Sequence, residues 1–129
     1  MTRSYVDASA LVKVVLAEAE SVAMRRWYVE SDEVLTSLVG IIETRRAIRR
    51  SAFDGDHLEA ILRSVGAVRL DPAIARSAAA LAPSTLRTLD AIHLATALAF
   101  GSELEAFVTY DDRLAEAARA AGLPVDRPA

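Results

Sequence analysis

Apolar positions change their spacing several times along the chain, dividing it into alternating strand-like and helix-like segments. Ser4 to Val6 is a short apolar run that stops at Asp7. A helical segment follows from about Ala10 to Ala17, carrying Leu11, Val12, Val14, Val15 and Leu16, with Ser9 as its expected N-cap. The valines leave a strand open at that point. A second helix is predicted over Ser21 to Val29, a strand over Glu33 to Thr36, and a helix over Leu38 to Arg50. Asp56 and Glu59 have capping-box spacing, which predicts another helix ending near Ser64. Ala67 to Leu70 is the third strand candidate. Asp71 and Pro72 then mark a helix start, because proline suits the first helical position.

The stretch from Ala91 to Phe100 has no formal charge apart from any proton on His93. A helix this apolar on all sides belongs in the interior. Ala106 to Thr109 is the last clear strand. A helix over Asp112 to Ala121 follows, closed by Gly122 and Pro124. Val125 is a candidate for a short edge strand. Strands separated by helices predict an α/β fold, a central twisted, mainly parallel sheet flanked by helices. With 129 residues and no linker or repeat, one domain over residues 1–129 is expected.

Composition narrows the class. A chain that is 53% hydrophobic and 26% charged has the makings of a core and is not a disordered one. No uncharged run approaches the roughly 18–20 residues of a membrane span. Asp7 and Lys13 interrupt the first apolar stretch, unlike a secretory signal. Cysteine is absent, which excludes disulfides and thiolate zinc sites and makes a reducing cytoplasm the expected location. The net charge of −3 speaks only weakly against nucleic acid, because Arg45, Arg46, Arg49 and Arg50 fall close together. That cluster reads either as a basic stripe or as a solvated helix face.

The chemistry is suggested by acids. Asp7 and Asp111 fall just after predicted strands, Asp90 at the start of the buried helix, and Glu43 in the helix after the second strand. Ligands in open parallel sheets bind beyond the carboxyl ends of the strands, so this topology can gather all four. Singly, each has another explanation. The three aspartates suit helix caps, and Glu43 could pair with Arg46 one turn along. Together they would repel by roughly 4 kcal/mol per pair at an intermediate dielectric unless a cation lay between them. An all-oxygen donor set, in a chain whose only histidines are His57 and His93, selects Mg²⁺ or Mn²⁺. Such an ion activates water and neutralises charge on a phosphate.

Three stretches carry a resemblance. Val6-Asp7-Ala8-Ser9-Ala10-Leu11-Val12-Lys13 is similar to the opening of VapC-type PIN domains. Leu89-Asp90-Ala91-Ile92-His93-Leu94-Ala95-Thr96-Ala97 matches the family's most distinctive internal stretch, and Val108-Thr109-Tyr110-Asp111 resembles its late strand-end motif. Glu43 stands in the expected region for the second acid, though its surroundings are a weak signature. The resemblance runs from Val6 to Val125. It implies a divalent-metal endoribonuclease, the toxin of a toxin–antitoxin pair, with Asp7, Asp90 and Asp111 holding Mg²⁺ or Mn²⁺ and Glu43 completing the catalytic set. It also implies cleavage to a 5′-phosphate and a 3′-hydroxyl, a homodimer, and silencing by a small antitoxin protein. Ser9, Thr109 and Asp112 are expected behind the first ring of ligands, with capping or turn formation as the other reading for the two hydroxyls.

Other residues have plainer readings. His93 shares a helix face with Asp90 and reads as a packed, hydrogen-bonded core histidine more readily than as a base. Trp27 and Tyr28 read as core rather than as a docking site, and Arg87 as a salt-bridge partner or a phosphate contact. A receiver-type signalling domain would need paired acids after the first strand and a late lysine, but the only lysine is Lys13. A haloacid-dehalogenase-like phosphatase would need a second Asp two residues after Asp7, where Ser9 stands. A PIN fold that binds RNA or protein without cutting remains the main alternative.

Overall fold

The computed structural model describes residues 1–129. Its elements are β1 (Arg3–Val6), α1 (Ala8–Val15), α2 (Ser21–Glu30), β2 (Glu33–Ser37), α3 (Leu38–Ile48), α4 (Gly55–Ser64), β3 (Gly66–Val68), α5 (Pro72–Ala80), α6 (Thr88–Leu98), β4 (Leu104–Val108), α7 (Asp112–Ala120) and β5 (Val125–Asp126). A 3₁₀ turn at Gly101–Glu103, absent from the sequence reading, leads into β4. It opens on Gly101 with a left-handed φ of 58°, which glycine adopts without a Cβ penalty.

All five strands run parallel in the order β3-β2-β1-β4-β5. The chain starts in the centre, winds outward through β2 and β3, then returns to lay β4 on the other side of β1. Connections from β1 and β4 therefore leave the sheet in opposite senses, and a crevice opens at their carboxyl ends.

Alternation within the strands assigns each residue to a face. Tyr5, Leu35 and Phe107 are register partners and pack with Leu94, Ala97, Leu114 and Ala118 beneath α6 and α7. Their neighbours Val6, Val34, Ala106 and Val108 face the opposite way and pack with Ala10, Leu11, Val14 and Met24 of α1 and α2. Burial on both sides is what an all-parallel sheet with helical crossovers requires. A smaller cluster of Val15, Ile48, Leu58 and Leu62 joins α1, α3 and α4. Trp27 and Tyr28 pack against the second cluster, in keeping with the core reading.

Three helix starts differ from expectation. α1 begins at Ala8, and its N-cap is Asp7 rather than Ser9: the Asp7 carboxylate accepts the Ala10 N–H, and Ser9 falls inside the first turn. α4 is capped by Asp54, not Asp56, because Asp54 Oδ1 accepts both the Asp56 and His57 N–H groups. Glu59 is drawn instead into a two-bond pair with Arg45. α6 begins three residues early at Thr88, which places Asp90 within its first turn.

Leu94 on α6 is 1% exposed and touches the heart of the sheet, whereas Leu89 on the same helix is 46% exposed. Leu94→Ala is expected to cost about 2–5 kcal/mol of unfolding free energy. Leu89→Ala should change it by about 0.5 kcal/mol or less. Urea midpoints for the two variants check this, and equal losses would contradict the assigned core.

Candidate active site

The crevice forms around the ends of β1 and β4. The β1–β4 ladder extends one step beyond the strands, the Asp7 N–H donating to the Val108 carbonyl at 3.2 Å. This fixes Asp7 beside Thr109. Asp7 is only 4% exposed, yet its carboxylate is well supplied. Oδ1 accepts from the Ser9 hydroxyl at 2.7 Å and the Ala10 N–H at 3.1 Å, and Oδ2 accepts from the Thr109 hydroxyl at 2.7 Å. Burial raises the Asp7 pKa above its ordinary value, and the Ser9 and Thr109 bonds pull it back only in part.

Those two hydroxyls also join the loops. Ser9 Oγ accepts the Tyr110 N–H at 2.8 Å, and Thr109 Oγ1 accepts the Asp111 N–H at 3.0 Å. Each hydroxyl therefore donates to the buried carboxylate while accepting from the backbone of the segment that carries Asp111. Asp111 in turn caps α7 through Oδ1, which accepts the Arg113 and Leu114 N–H groups at 2.9 and 3.1 Å. Its Oδ2 has no protein partner.

Asp90 is different. It is half-buried in the first turn of α6, it caps nothing, and its carboxylate accepts no hydrogen bond from the protein. Its pKa is raised first by burial and then by the charge of Asp111, with Glu43 adding to the effect and His93 and Arg87 opposing it. The capping explanation therefore holds for Asp7 and Asp111 and fails for Asp90. Glu43 does not pair with Arg46. Its Oε1 lies 2.6 Å from His93 Nε2, across the contact between α3 and α6.

Asp112 is to be corrected. Its side chain is 91% exposed and paired with Arg127 at 2.7 Å, so it stands behind none of the other acids. The C-terminal segment accounts for this. Arg127 Nε donates to the Thr109 carbonyl, its guanidinium lies 5.9 Å from the Tyr110 ring centroid, and the Tyr110 hydroxyl donates to the Pro128 carbonyl. Arg87 makes no salt bridge and serves as the N-cap residue of α6 without a side-chain cap bond.

Beside the acids lies a cleft of about 690 Å³, lined by Ser9, Val12, Lys13, Ile42, Glu43, Arg46, Arg50, Leu89 and Tyr110 among others. Four cations stand in or near it, and two are already engaged. Lys13 is held by Glu18 at 3.5 Å and Glu20 at 3.1 Å, and Arg45 is held by Glu59. Arg46 and Arg50 are exposed and free of ion pairs.

No three acids form a ready-made chelating cluster. The available donors are nonetheless hard oxygens: the unpartnered Asp90 carboxylate, Asp111 Oδ2, and the remaining lone-pair capacity of Asp7. They suit a small hard cation that keeps several of its waters and takes only a few carboxylates directly, as Mg²⁺ does.

Sequence reasoning missed Tyr5 and Gly40. Tyr5 lies wholly inside the sheet, its hydroxyl 2.6 Å from His93 Nδ1. A Cβ on Gly40 would meet Thr36 Oγ1 at 2.3 Å and His93 Cε1 at 3.2 Å. A polar aromatic and a histidine in apolar segments each need a partner, which is the signal that was available, but nothing local pairs them.

Asn at position 7 would keep an oxygen for Ser9 and Ala10 and present an amide N–H to Thr109, while removing the buried charge. A carboxylate whose pKa is raised by folding contributes stability below its ordinary range and loses it as pH rises through the raised value. Metal-free Asp7→Asn protein is thus expected to melt at or above the wild-type temperature at pH 7, with the gap closing toward pH 3. Melting curves at both pH values decide it; a clear loss of stability at pH 7 would contradict the burial cost assigned to Asp7.

Comparison with known proteins agrees with this geometry. The profile of the PIN domain family matches residues 4–120. Ribonuclease VapC35 of Mycobacterium tuberculosis is 42% identical over 129 residues, covering 96% of both chains, and ribonuclease VapC46 of the same species is 36% identical, covering 99% of both. Among solved structures, M. tuberculosis VapC20, described as a sarcin–ricin loop cleaving toxin, superimposes with a TM-score of 0.73 at 18% identity, covering 96% of this chain and 98% of that one. A toxin–antitoxin complex from Klebsiella pneumoniae aligns at a TM-score of 0.62 and 21% identity, covering 84% of this chain and 86% of that one. A PIN-profile match over most of the chain, together with full-length VapC relatives above 30% identity, makes this protein a member of the PIN-domain family.

Proposed function

We propose that this protein is a divalent-metal-dependent endoribonuclease, using Mg²⁺ or Mn²⁺, that acts as the toxin of a toxin–antitoxin pair. The observation that carries the reading is Asp90: a half-buried carboxylate with no hydrogen-bond partner, made harder to ionise by Asp111 and Glu43. A carboxylate with no protein donor, close to two other acids at the carboxyl edge of a parallel sheet, is a group that a cation would stabilise. The ribonuclease names of the full-length relatives favour RNA as the substrate.

Asp7, Asp90 and Asp111 would hold the metal ion, with Ser9 and Thr109 fixing the Asp7 oxygens. When bound, the ion supplies charge neutralisation at the scissile phosphate and lowers the pKa of water. Glu43, at the edge of the cleft, accepts the proton of the attacking water. The water oxygen forms a bond to phosphorus as the bond to the 3′-oxygen breaks; the departing 3′-oxyanion takes a proton from solvent, leaving a 5′-phosphate and a 3′-hydroxyl. Arg46 and Arg50, free of ion pairs, are placed to take flanking phosphates of the RNA strand.

An antitoxin protein and a second copy of the chain belong to the same reading. Ile42 and Leu89, both lining the cleft, are 54% and 46% exposed and offer apolar surface to a partner. No helix is long and apolar enough to cross a membrane. A PIN fold that binds RNA without cutting draws on one observation, that no three acids form a preformed chelate. Against it, a hydrated cation does not need one.

Cleavage of total RNA by purified protein, run with Mg²⁺, Mn²⁺ and chelator, is the direct test. Discrete products are expected with metal and none with chelator. Asp90→Asn should lower the rate at least about 100-fold, and Asp7→Asn likewise. Intact RNA under every metal, from folded protein free of inhibitor, would favour the non-cutting module. A second expectation concerns the two arginines. Arg46→Ala with Arg50→Ala should raise KM several-fold, leave kcat nearly unchanged, and flatten the dependence of KM on salt. An unaltered salt dependence would remove them from the RNA path.

A further inference from the structure

His93 is the packed, hydrogen-bonded core histidine expected from the sequence, and its two partners lead from the sheet core to the candidate site. It is 2% exposed in an apolar helix, yet both ring nitrogens are engaged at 2.6 Å, Nδ1 by the Tyr5 hydroxyl and Nε2 by Glu43 Oε1. We propose that His93, held as its Nε2–H tautomer by Tyr5, is the positioning residue that sets the Glu43 carboxylate at the edge of the candidate active site. The proposal rests on the nuclease reading for the role of Glu43.

The Ser37 backbone N–H can only donate, and it donates to Tyr5 Oη at 3.0 Å. Tyr5 Oη can accept a second bond, so the His93 tautomer sets the direction between the two side chains; in the proposed one the tyrosine proton goes to His93 Nδ1. A neutral imidazole that accepts at Nδ1 carries its proton on Nε2, and that N–H points at Glu43. Ser37, Tyr5 and His93 then donate in turn, ending on the Glu43 carboxylate, along a line from the end of β2 through the central strand and α6 to α3.

The surroundings hold this chain in place. The Tyr5 ring stacks on Phe107 with centroids 5.3 Å apart and planes 7° from parallel, and it meets the His93 ring edge-on at 5.7 Å. Tyr5 and Phe107 are both wholly buried, so the hydroxyl cannot swing away without disrupting the sheet core. Gly40 lies one turn before Glu43 on α3, and any Cβ there would crowd both Thr36 and the His93 ring. The bare backbone at that point lets α3 approach closely enough for Glu43 to reach Nε2. A carboxylate on an exposed helix face would sample several rotamers. This one, with its side chain 30% exposed, is tied at one oxygen and leaves the other for water.

Two measurements test the proposal, one of them independent of catalysis. Long-range ¹H–¹⁵N spectra of ¹⁵N-histidine-labelled, metal-free wild type at pH 7 should show His93 protonated at Nε2 and bare at Nδ1. Protonation at Nδ1, alone or with Nε2, overturns it. In steady-state cleavage of an RNA oligonucleotide, His93→Leu should lower kcat by about 10- to 100-fold with KM within about 2-fold, and His93→Gln, which keeps an N–H donor, should recover much of the loss. In a Glu43→Gln background, His93→Leu should add nothing further. If Asp90→Asn is inactive but His93→Leu cuts at the wild-type rate, positioning by His93 is wrong and the nuclease reading stands. If Asp90→Asn and Glu43→Gln both cut normally, these acids are not the cutting site and the positioning of Glu43 by His93 falls with them; if wild type leaves RNA intact under every metal, the nuclease reading itself has failed. Should His93→Leu not fold, the Gln variant and the wild-type spectrum still decide.

Discussion

A carboxylate buried at the end of the central strand, its pKa raised by that burial, is the constraint around which the rest of this structure is arranged. Removing an ionised carboxylate from water costs several kcal/mol even after relaxation, unless fixed dipoles replace the lost hydration. At Asp7 three groups do so: two hydroxyls at 2.7 Å and the Ala10 N–H. Each demand has a structural consequence. The Ala10 bond makes Asp7 the cap of α1, and the Thr109 bond requires β4 to lie beside β1 in the observed register. The Ser9 bond keeps that side chain in the first helical turn, where it also receives the Tyr110 N–H. The position of Asp111 is then determined, since its N–H is bound to the same threonine that serves Asp7.

The division of the chain into strands and helices was legible in the sequence because both signals are local and repeated. Period-two and helical spacings recur over many residues and average out single exceptions. Choices among nearly equivalent neighbours were not legible. Asp7 and Ser9 are comparable N-caps, as are Asp54 and Asp56, and differences of a fraction of a kcal/mol decide between them. The place of Asp112, expected behind the metal ligands, was not legible either. It is resolved by Arg127, a residue close in sequence only to the chain end, which draws Asp112 outward.

The four acids stood out in the sequence because the fold rule for parallel sheets says where ligands gather, and the motifs around Asp7, Asp90 and Asp111 are distinctive in residue type. What supports Glu43 could not be read in the same way. Tyr5 and His93 are 88 residues apart, and His93 and Glu43 are 50 apart. A buried tyrosine and a buried histidine each announce a need for a partner without naming it. The stretch around Glu43 offered Arg46 as a helical neighbour, and only the packing of α3 on α6 turns the carboxylate toward the imidazole instead.

Capping and cation binding are usually weighed as rival explanations for an aspartate, but here they are complementary. Asp7 and Asp111 cap helices with Oδ1, so the N–H groups at the starts of α1 and α7 face the acids, and Asp90 lies in the first turn of α6. Three helix N-termini therefore meet at one edge of the sheet, each worth a few tenths to about 1 kcal/mol to a nearby negative charge. That field offsets part of the repulsion among the carboxylates at this edge. It does not remove the repulsion. Asp90, which has the dipole of its helix but no donor aimed at its oxygens, still feels Asp111 and Glu43. The fold thus brings Asp90 within electrostatic range of Asp111 and Glu43 and leaves it without a protein donor, the condition under which an added cation gains most.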